Sequence, residues 1–176
     1  MSKIIPIEES IEMRNEYTTQ ISPLIETRRG IGYSATDFGW IDLQELKDYL
    51  NLLDQVERVN DKSISGVRIY FSAYPDAAIF ESTRDQVLYQ ARETFFMVPT
   101  VKVESTPISL QYENLENLPF CIEPNNAAID KLKGDFVVIN GLLNGRDNPS
   151  GTTDTNYSNK TSLIMNRMTL APPPSE

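Results

Sequence analysis

The side chains able to make and break bonds are sparse in this sequence. None of the 176 residues is a histidine, and Cys121 is the single cysteine. Without imidazole the chain lacks the commonest general base at neutral pH and the commonest zinc ligand. A Ser-His-Asp or Cys-His nucleophile pair is excluded within the chain, as are an intrachain disulfide and a cysteine-based zinc site. What remains is carboxylate, lysine and tyrosine chemistry, or a hard cation held by oxygen. The run Asp154-Thr155-Asn156-Tyr157-Ser158-Asn159 sets oxygen-bearing side chains at the first, third and fifth positions of a calcium loop. The pattern then fails, with Asn159 where glycine belongs and Met165 where a bidentate glutamate would close the site. A looser Ca2+ or Mg2+ site on Asp147 and Asp154 is the metal reading. A polar surface loop needing no cofactor is the plainer one, and it prevails.

Other constellations are weighed the same way. Arg68 and Tyr70 fall on one face of an expected strand, with Glu93 or Glu104 available on a neighbour. A forked guanidinium beside a hydroxyl could recognise a carboxylate or phosphate on a partner. The competing reading, which strand statistics favour, is an ion pair covering a solvated sheet face. Asp37-Phe38-Gly39 copies the kinase magnesium tripeptide by letter, yet the chain has no glycine-rich loop and no catalytic His-Arg-Asp, so chance explains it. Cys121, between Phe120 and Ile122, reads as a buried inert thiol. Trp40, the single tryptophan, is expected to pack beneath the helix that follows it.

Composition adds further exclusions. With 16 Lys+Arg against 25 Asp+Glu the net charge is −9, which argues against a nucleic-acid partner. A hydrophobic share of 40% and a charged share of 23% describe an ordinary globular chain. No apolar run approaches the ~20 residues a membrane helix needs. The opening Met1-Ser2-Lys3-Ile4-Ile5-Pro6-Ile7-Glu8-Glu9 turns acidic before a signal core develops, so a cytoplasmic location is expected.

The elements that must position these residues are legible in part. Pro6 suits a helix start, with Ile7, Ile11, Tyr17 and Ile21 on one face, and Ser22-Pro23 is read as opening a second helix that ends near Gly30. Asp42 and Glu45 form a capping box. After them Leu43, Leu46, Tyr49, Leu50, Leu53, Val56 and Val59 recur at helical steps, predicting a long helix over 43–59. The stripe places Leu50 in the core, so Leu50→Asp is expected to destabilise strongly. The period then changes to two: Val67, Ile69 and Phe71 face one way, expected inward against the helix, and Arg68, Tyr70 and Ser72 the other. A short helix is expected over 82–93, and 94–98 should be a strand beside 67–72, continuing past Pro99 into 101–104. Residues 124–132 read as a short helix closed by Gly134, and 135–139 as a buried strand. The polar stretch 140–160 reads as a long loop, and Pro172-Pro173-Pro174 as an extended tail.

Three segments together resemble a recurrent group of small uncharacterised bacterial proteins. They are Trp40-Ile41-Asp42-Leu43, Ser65-Gly66-Val67-Arg68-Ile69-Tyr70-Phe71 and Phe95-Phe96-Met97-Val98-Pro99-Thr100. The resemblance lies in residues 40–74 and 94–100, about a quarter of the chain, and implies an α+β domain without carrying over any activity or site.

The expectation is thus an α+β fold: N-terminal helices and one long amphipathic helix packed on a small, mainly antiparallel sheet. It forms a single globular domain over 1–170 with a proline-rich tail over 171–176. Function is expected to be non-enzymatic, in binding a protein partner or assembling as a homo-oligomer, away from membranes and nucleic acid. The alternative is a carboxylate- and divalent-metal-dependent enzyme.

Overall fold

A computed structural model of the chain describes residues 4–74, 92–102, 116–127, 129–143 and 156–166, and the backbone of 169–171. The fold is α+β. Described residues up to 40, with 71–74, 92–95 and 169–171, form one compact unit; those of 41–70 and 96–166 form another.

The first unit begins with α1 (Ile7–Glu16), which runs through a π turn (Tyr17–Ile21) into α2 (Ser22–Arg29). The helix therefore does not break at Ser22-Pro23, as the sequence suggests. Pro23 has no N–H to return to the preceding turn, and a widened turn accommodates that loss. Thr18 and Thr19 reinforce it by donating their hydroxyls to the Arg14 and Asn15 carbonyls at 2.7–3.2 Å. Glu8 and Glu9 in the first turn and Arg28 and Arg29 in the last complement the helix dipole. None of these residues is fully buried, and Ile7, Ile11 and Ile21 of the expected apolar face are exposed while Tyr17 is half-buried. Gly30 ends the helix at φ 106°, a conformation open to glycine. β1 (Phe38–Trp40) then pairs antiparallel with β6 (Thr169–Ala171), Phe38 opposite Ala171 and Trp40 opposite Thr169. Trp40 is 57% exposed on this ribbon and is not buried beneath a helix.

In the second unit the long helix forms as expected, as α3 (Leu43–Asn60). Asp42 caps it, its carboxylate accepting from the Gln44 and Glu45 amides at 2.8 and 3.2 Å. Asp61 closes it in the left-handed region. The buried stripe is narrower than the apolar pattern: Tyr49, Leu53 and Val56 are covered, while Leu50 is 47% exposed. Leu50 is therefore not a core residue. The helix turns its 49–53–56–60 line inward, and this sets Asn60 against the sheet, where its side chain donates to the Leu132 carbonyl at 2.7 Å and accepts from the Gly134 amide at 2.8 Å.

Four strands make one antiparallel sheet, ordered β2 (Gly66–Ala73), β3 (Glu93–Lys102), β4 (Asn117–Asn126) and β5 (Asp130–Val138). The expected neighbours 67–72 and 94–98 are indeed adjacent, and β3 continues through Pro99 to Lys102. The expected helix over 82–93 falls almost wholly outside the described residues, as do 103–104. The helix expected over 124–132 is instead a β-hairpin: β4 and β5 pair from Phe120–Val138 to Asn126–Asp130, with a bulge between Pro124 and Asn126. Long-range pairing of Phe120-Cys121-Ile122 with Phe136-Val137-Val138 overrides the local helical pattern. Gly134, expected to close that helix, lies opposite Pro124, where a Cβ would overlap the Glu123 carbonyl.

The inward face of β2 is also the reverse of the expected one. Ile69 is 57% exposed, whereas Tyr70 stacks on Phe96 at 5.2 Å and packs with it against Val98, Cys121 and Ile139. Tyrosine brings more contact area than isoleucine and keeps its hydroxyl at the edge, where Arg68 donates to it at 3.4 Å.

The sheet centre is built from two buried prolines. β4 pairs with β3 from Pro119 to Asn117, opposite Thr100 to Lys102. Beyond Pro99 the Thr161–Met165 segment takes over, exchanging two hydrogen bonds with Met97 at 2.9–3.0 Å and two with Ile122 at 2.7–3.1 Å. Pro99 and Pro119 have no N–H to offer where the partners change, and both are fully buried. Leu163 is the buried plug of this segment, its carbonyl accepting from Tyr49 Oη at 3.1 Å.

Two substitutions check these assignments by urea denaturation. Leu53→Ala should cost ~2–5 kcal/mol as a buried leucine, and Leu50→Ala under about 1 kcal/mol. Gly134→Ala should cost ~1–3 kcal/mol or more, since its added methyl meets fixed backbone, whereas Asp135→Ala beside it should be close to neutral. Equal midpoints for the two leucine variants would overturn the helix orientation.

Candidate binding groove

In the first unit the chain entering β1 is pinned residue by residue. Arg92, itself buried, donates through Nη1 to the Ser34 carbonyl at 2.8 Å and lies over the Tyr33 ring at 5.1 Å. The Glu26 carboxylate accepts from the Ala35 amide at 3.1 Å. Glu93, the first residue of β3, accepts from Tyr33 Oη at 2.6 Å and from the Thr36 amide at 3.1 Å. Thr36 returns a bond from its hydroxyl to the Glu93 carbonyl at 3.2 Å, and Tyr17 Oη donates to the Thr36 carbonyl at 3.1 Å. Asp37 is ion-paired through Oδ2 to Arg14; its Oδ1 is buried with no hydrogen-bond partner among the described residues.

This pinned segment forms one wall of a groove of about 430 Å3. Ile25 of α2, Phe38 of β1, Phe71 near the end of β2 and Phe95 of β3 supply its apolar lining, and Asp37 and Glu93 its charge. Gly39 lets the wall close, because a Cβ there would collide with the Phe95 ring. Two lining aromatics stay in solvent: Phe71 is 92% exposed and Phe38 58%.

The electrostatics of the groove centre on Glu93 and Tyr33. Burial pushes the Glu93 carboxyl upward, but the Tyr33 hydroxyl and the Thr36 amide outweigh it and hold the group below the usual carboxylate range. An acid so depressed stays ionised and makes a weak base at neutral pH. Burial, then the hydrogen bond and charge of Glu93, push Tyr33 up to about 12. No described lining residue is a lysine, cysteine or histidine.

The residues singled out in the sequence lie elsewhere. Arg68 and Tyr70 sit together on β2, half-buried on its inward face in the second unit and not on a solvated face. Asp147 and Asp154 lie outside the described residues. Among the described residues, no group of three or more acidic or cysteine side chains is placed to hold a metal ion. Cys121 is buried, as expected, and burial pushes its thiol up, which disfavours the thiolate. Sequence reasoning missed the groove: Asp37-Phe38-Gly39, read there as chance, is its wall. The usable signal was the density of aromatics around one glycine, Phe38 and Trp40 beside Gly39. In comparison with known proteins the chain matches no family model, and neither a curated protein nor a solved structure is significantly similar to it.

The Tyr33–Glu93 pair makes stability depend on pH at both ends. Because the Glu93 carboxyl is depressed in the fold, its contribution is present above the ordinary value of 4.5 and lost as pH falls through the lower folded value. Tyr33 is raised, so its contribution is present below 10.0 and lost as pH climbs to about 12. Glu93→Gln should flatten the acid limb of a melting-temperature profile and Tyr33→Phe part of the alkaline limb. Tyr49, pushed up to about 12 by burial, should retain the remainder.

Proposed function

We propose that this protein is a non-enzymatic binding or assembly module whose binding element is the groove of the first unit. The observation that carries the reading is the exposure of Phe71 and Phe38 along an apolar hollow. Large apolar side chains gathered at one concave site gain most from being covered, and aromatic residues dominate the energetics of such contacts. The absence of histidine from the chain agrees with this, as does a Glu93 carboxyl held ionised by its hydrogen bonds from Tyr33 and Thr36. The partner is a protein, or a second copy of this chain, presenting apolar side chains to Phe71, Phe38 and Phe95. A cytoplasmic setting suits a chain with one buried thiol.

Phe71→Glu tests the reading. At 92% exposure the change should leave the melting temperature within about 1 °C, as surface substitutions typically do. Size-exclusion chromatography with light scattering, and co-purification from the native host, should show a partner or self-association with the parent chain and its loss with the variant. A parent chain that runs as a strict monomer without a partner, or a variant that keeps its partner, overturns the reading.

A further inference from the structure

Two of the residues lining the groove carry charge, and both are acids, Asp37 and Glu93. The Asp37 charge is met by Arg14. Glu93 differs, because the groups that reach its carboxylate are neutral: the Tyr33 hydroxyl at 2.6 Å and the Thr36 amide at 3.1 Å. Both bonds fall on Oε2; among the described residues none falls on Oε1, and no cation pairs with the carboxylate. Oε1 is not sealed off either, since the buried side-chain atoms without a partner among the described residues are Asp37 Oδ1 and Tyr157 Oη. A carboxylate is thus fixed through one oxygen while the other stays open to an incoming donor.

Glu93 and Phe95 stand two apart on β3 and so share a face of the strand. Phe71, on the neighbouring β2, lines the same hollow and is 92% exposed. A fixed anion beside uncovered rings selects for a cation that is also flat. Guanidinium meets both demands: it offers a fork of donors, is weakly hydrated for a cation and stacks on aromatic faces, whereas an ammonium is compact and strongly hydrated. The net charge of −9 favours the approach of a basic segment over an acidic one.

We propose that the groove receives an arginine side chain of the partner protein, its guanidinium donating to Glu93 Oε1 while its plane lies on the Phe71 ring. The inference deepens the function proposed above and rests on it: the partner's apolar side chains cover the remaining rings, and its arginine supplies specificity. An acidic or purely apolar partner would strip water from Glu93 without returning a counter-charge, and so binds less well.

NMR titration of the full chain, labelled at phenylalanine, with the peptide acetyl-Leu-Arg-Leu-amide tests this directly. The Phe71 ring signals should shift saturably. The same peptide with citrulline, a neutral shape mimic, or with lysine in place of arginine should bind about tenfold more weakly. Raising the salt concentration should weaken the arginine peptide and leave the citrulline peptide unchanged. Glu93→Gln, whose amide oxygen can still accept from Tyr33 and Thr36, should erase the preference for arginine over citrulline. The salt series on the parent chain reads the same charge without any substitution. No saturable shift with the arginine peptide, or a citrulline or lysine peptide that binds as tightly, overturns the inference. A preference for arginine that survives both high salt and Glu93→Gln also overturns it. The two proposals separate cleanly. Equal arginine and citrulline affinities, with a partner lost on Phe71→Glu, remove the arginine and keep the binding reading. An arginine preference in a chain with neither a co-purifying partner nor self-association removes the binding reading, while the guanidinium site stands.

Discussion

One carboxylate organises the first unit. Glu93 starts β3, and its side chain and carbonyl together take three hydrogen bonds from Tyr33 and Thr36, nearly sixty residues earlier in sequence. Hydrogen bonds to an ionised acceptor are about twice as strong as neutral ones, and here they substitute for apolar burial. The N-terminal helix buries no residue, so it is not held in place by a core of its own. Among the described residues a polar web of Glu26, Arg92 and Glu93 pins the Ser34–Thr36 stretch, and the groove is the hollow beside it. The second unit follows the opposite logic. There Val98, Cys121 and Ile139 make a packed centre, and polar contacts such as that of Asn60 with β5 serve to register one element against another.

The reading of the sequence succeeds where a single periodicity decides and falters where two faces compete. The helix Leu43–Asn60 carries its own cap, stripe and stop, so local rules suffice to find it. For β2 the alternation is correctly visible, but it only divides the residues into two sets. Which set turns inward depends on Phe96, the stacking partner of Tyr70, and no local pattern contains that information. The segment Pro124–Leu132 misleads for the same reason, because it is the end of a hairpin whose register is set by Phe120–Pro124 pairing with Gly134–Val138. The groove was the least legible part. Its wall runs from the irregular Tyr33–Asp37 stretch into β1, and side chains from elsewhere in the sequence, Glu93 and Arg92 among them, define the geometry.

The absence of histidine, which a reader of the sequence meets first, takes on a positive meaning beside this geometry. The charged groups near the groove have protein partners: Arg14 pairs with Asp37, Glu93 accepts from Tyr33 and Thr36, and Arg92 donates to the Ser34 carbonyl. Beside them Phe71 and Phe38 present ring surface to solvent, which carries no charge to titrate.

The hydrogen bonds that join Thr161–Met165 to Met97 and Ile122 impose an order on how the second unit comes into being. β3 and β4 diverge past Pro99, and the stretch that fills the gap is made some forty residues after β4 begins. During synthesis on the ribosome the Met97 and Ile122 amides therefore stay bonded to water until that stretch emerges. Contacts of such sequence separation slow folding and leave strand edges open to wrong neighbours. Tyr49, whose hydroxyl meets Leu163 across 114 positions, closes the assembly from the helix side only when that late stretch arrives.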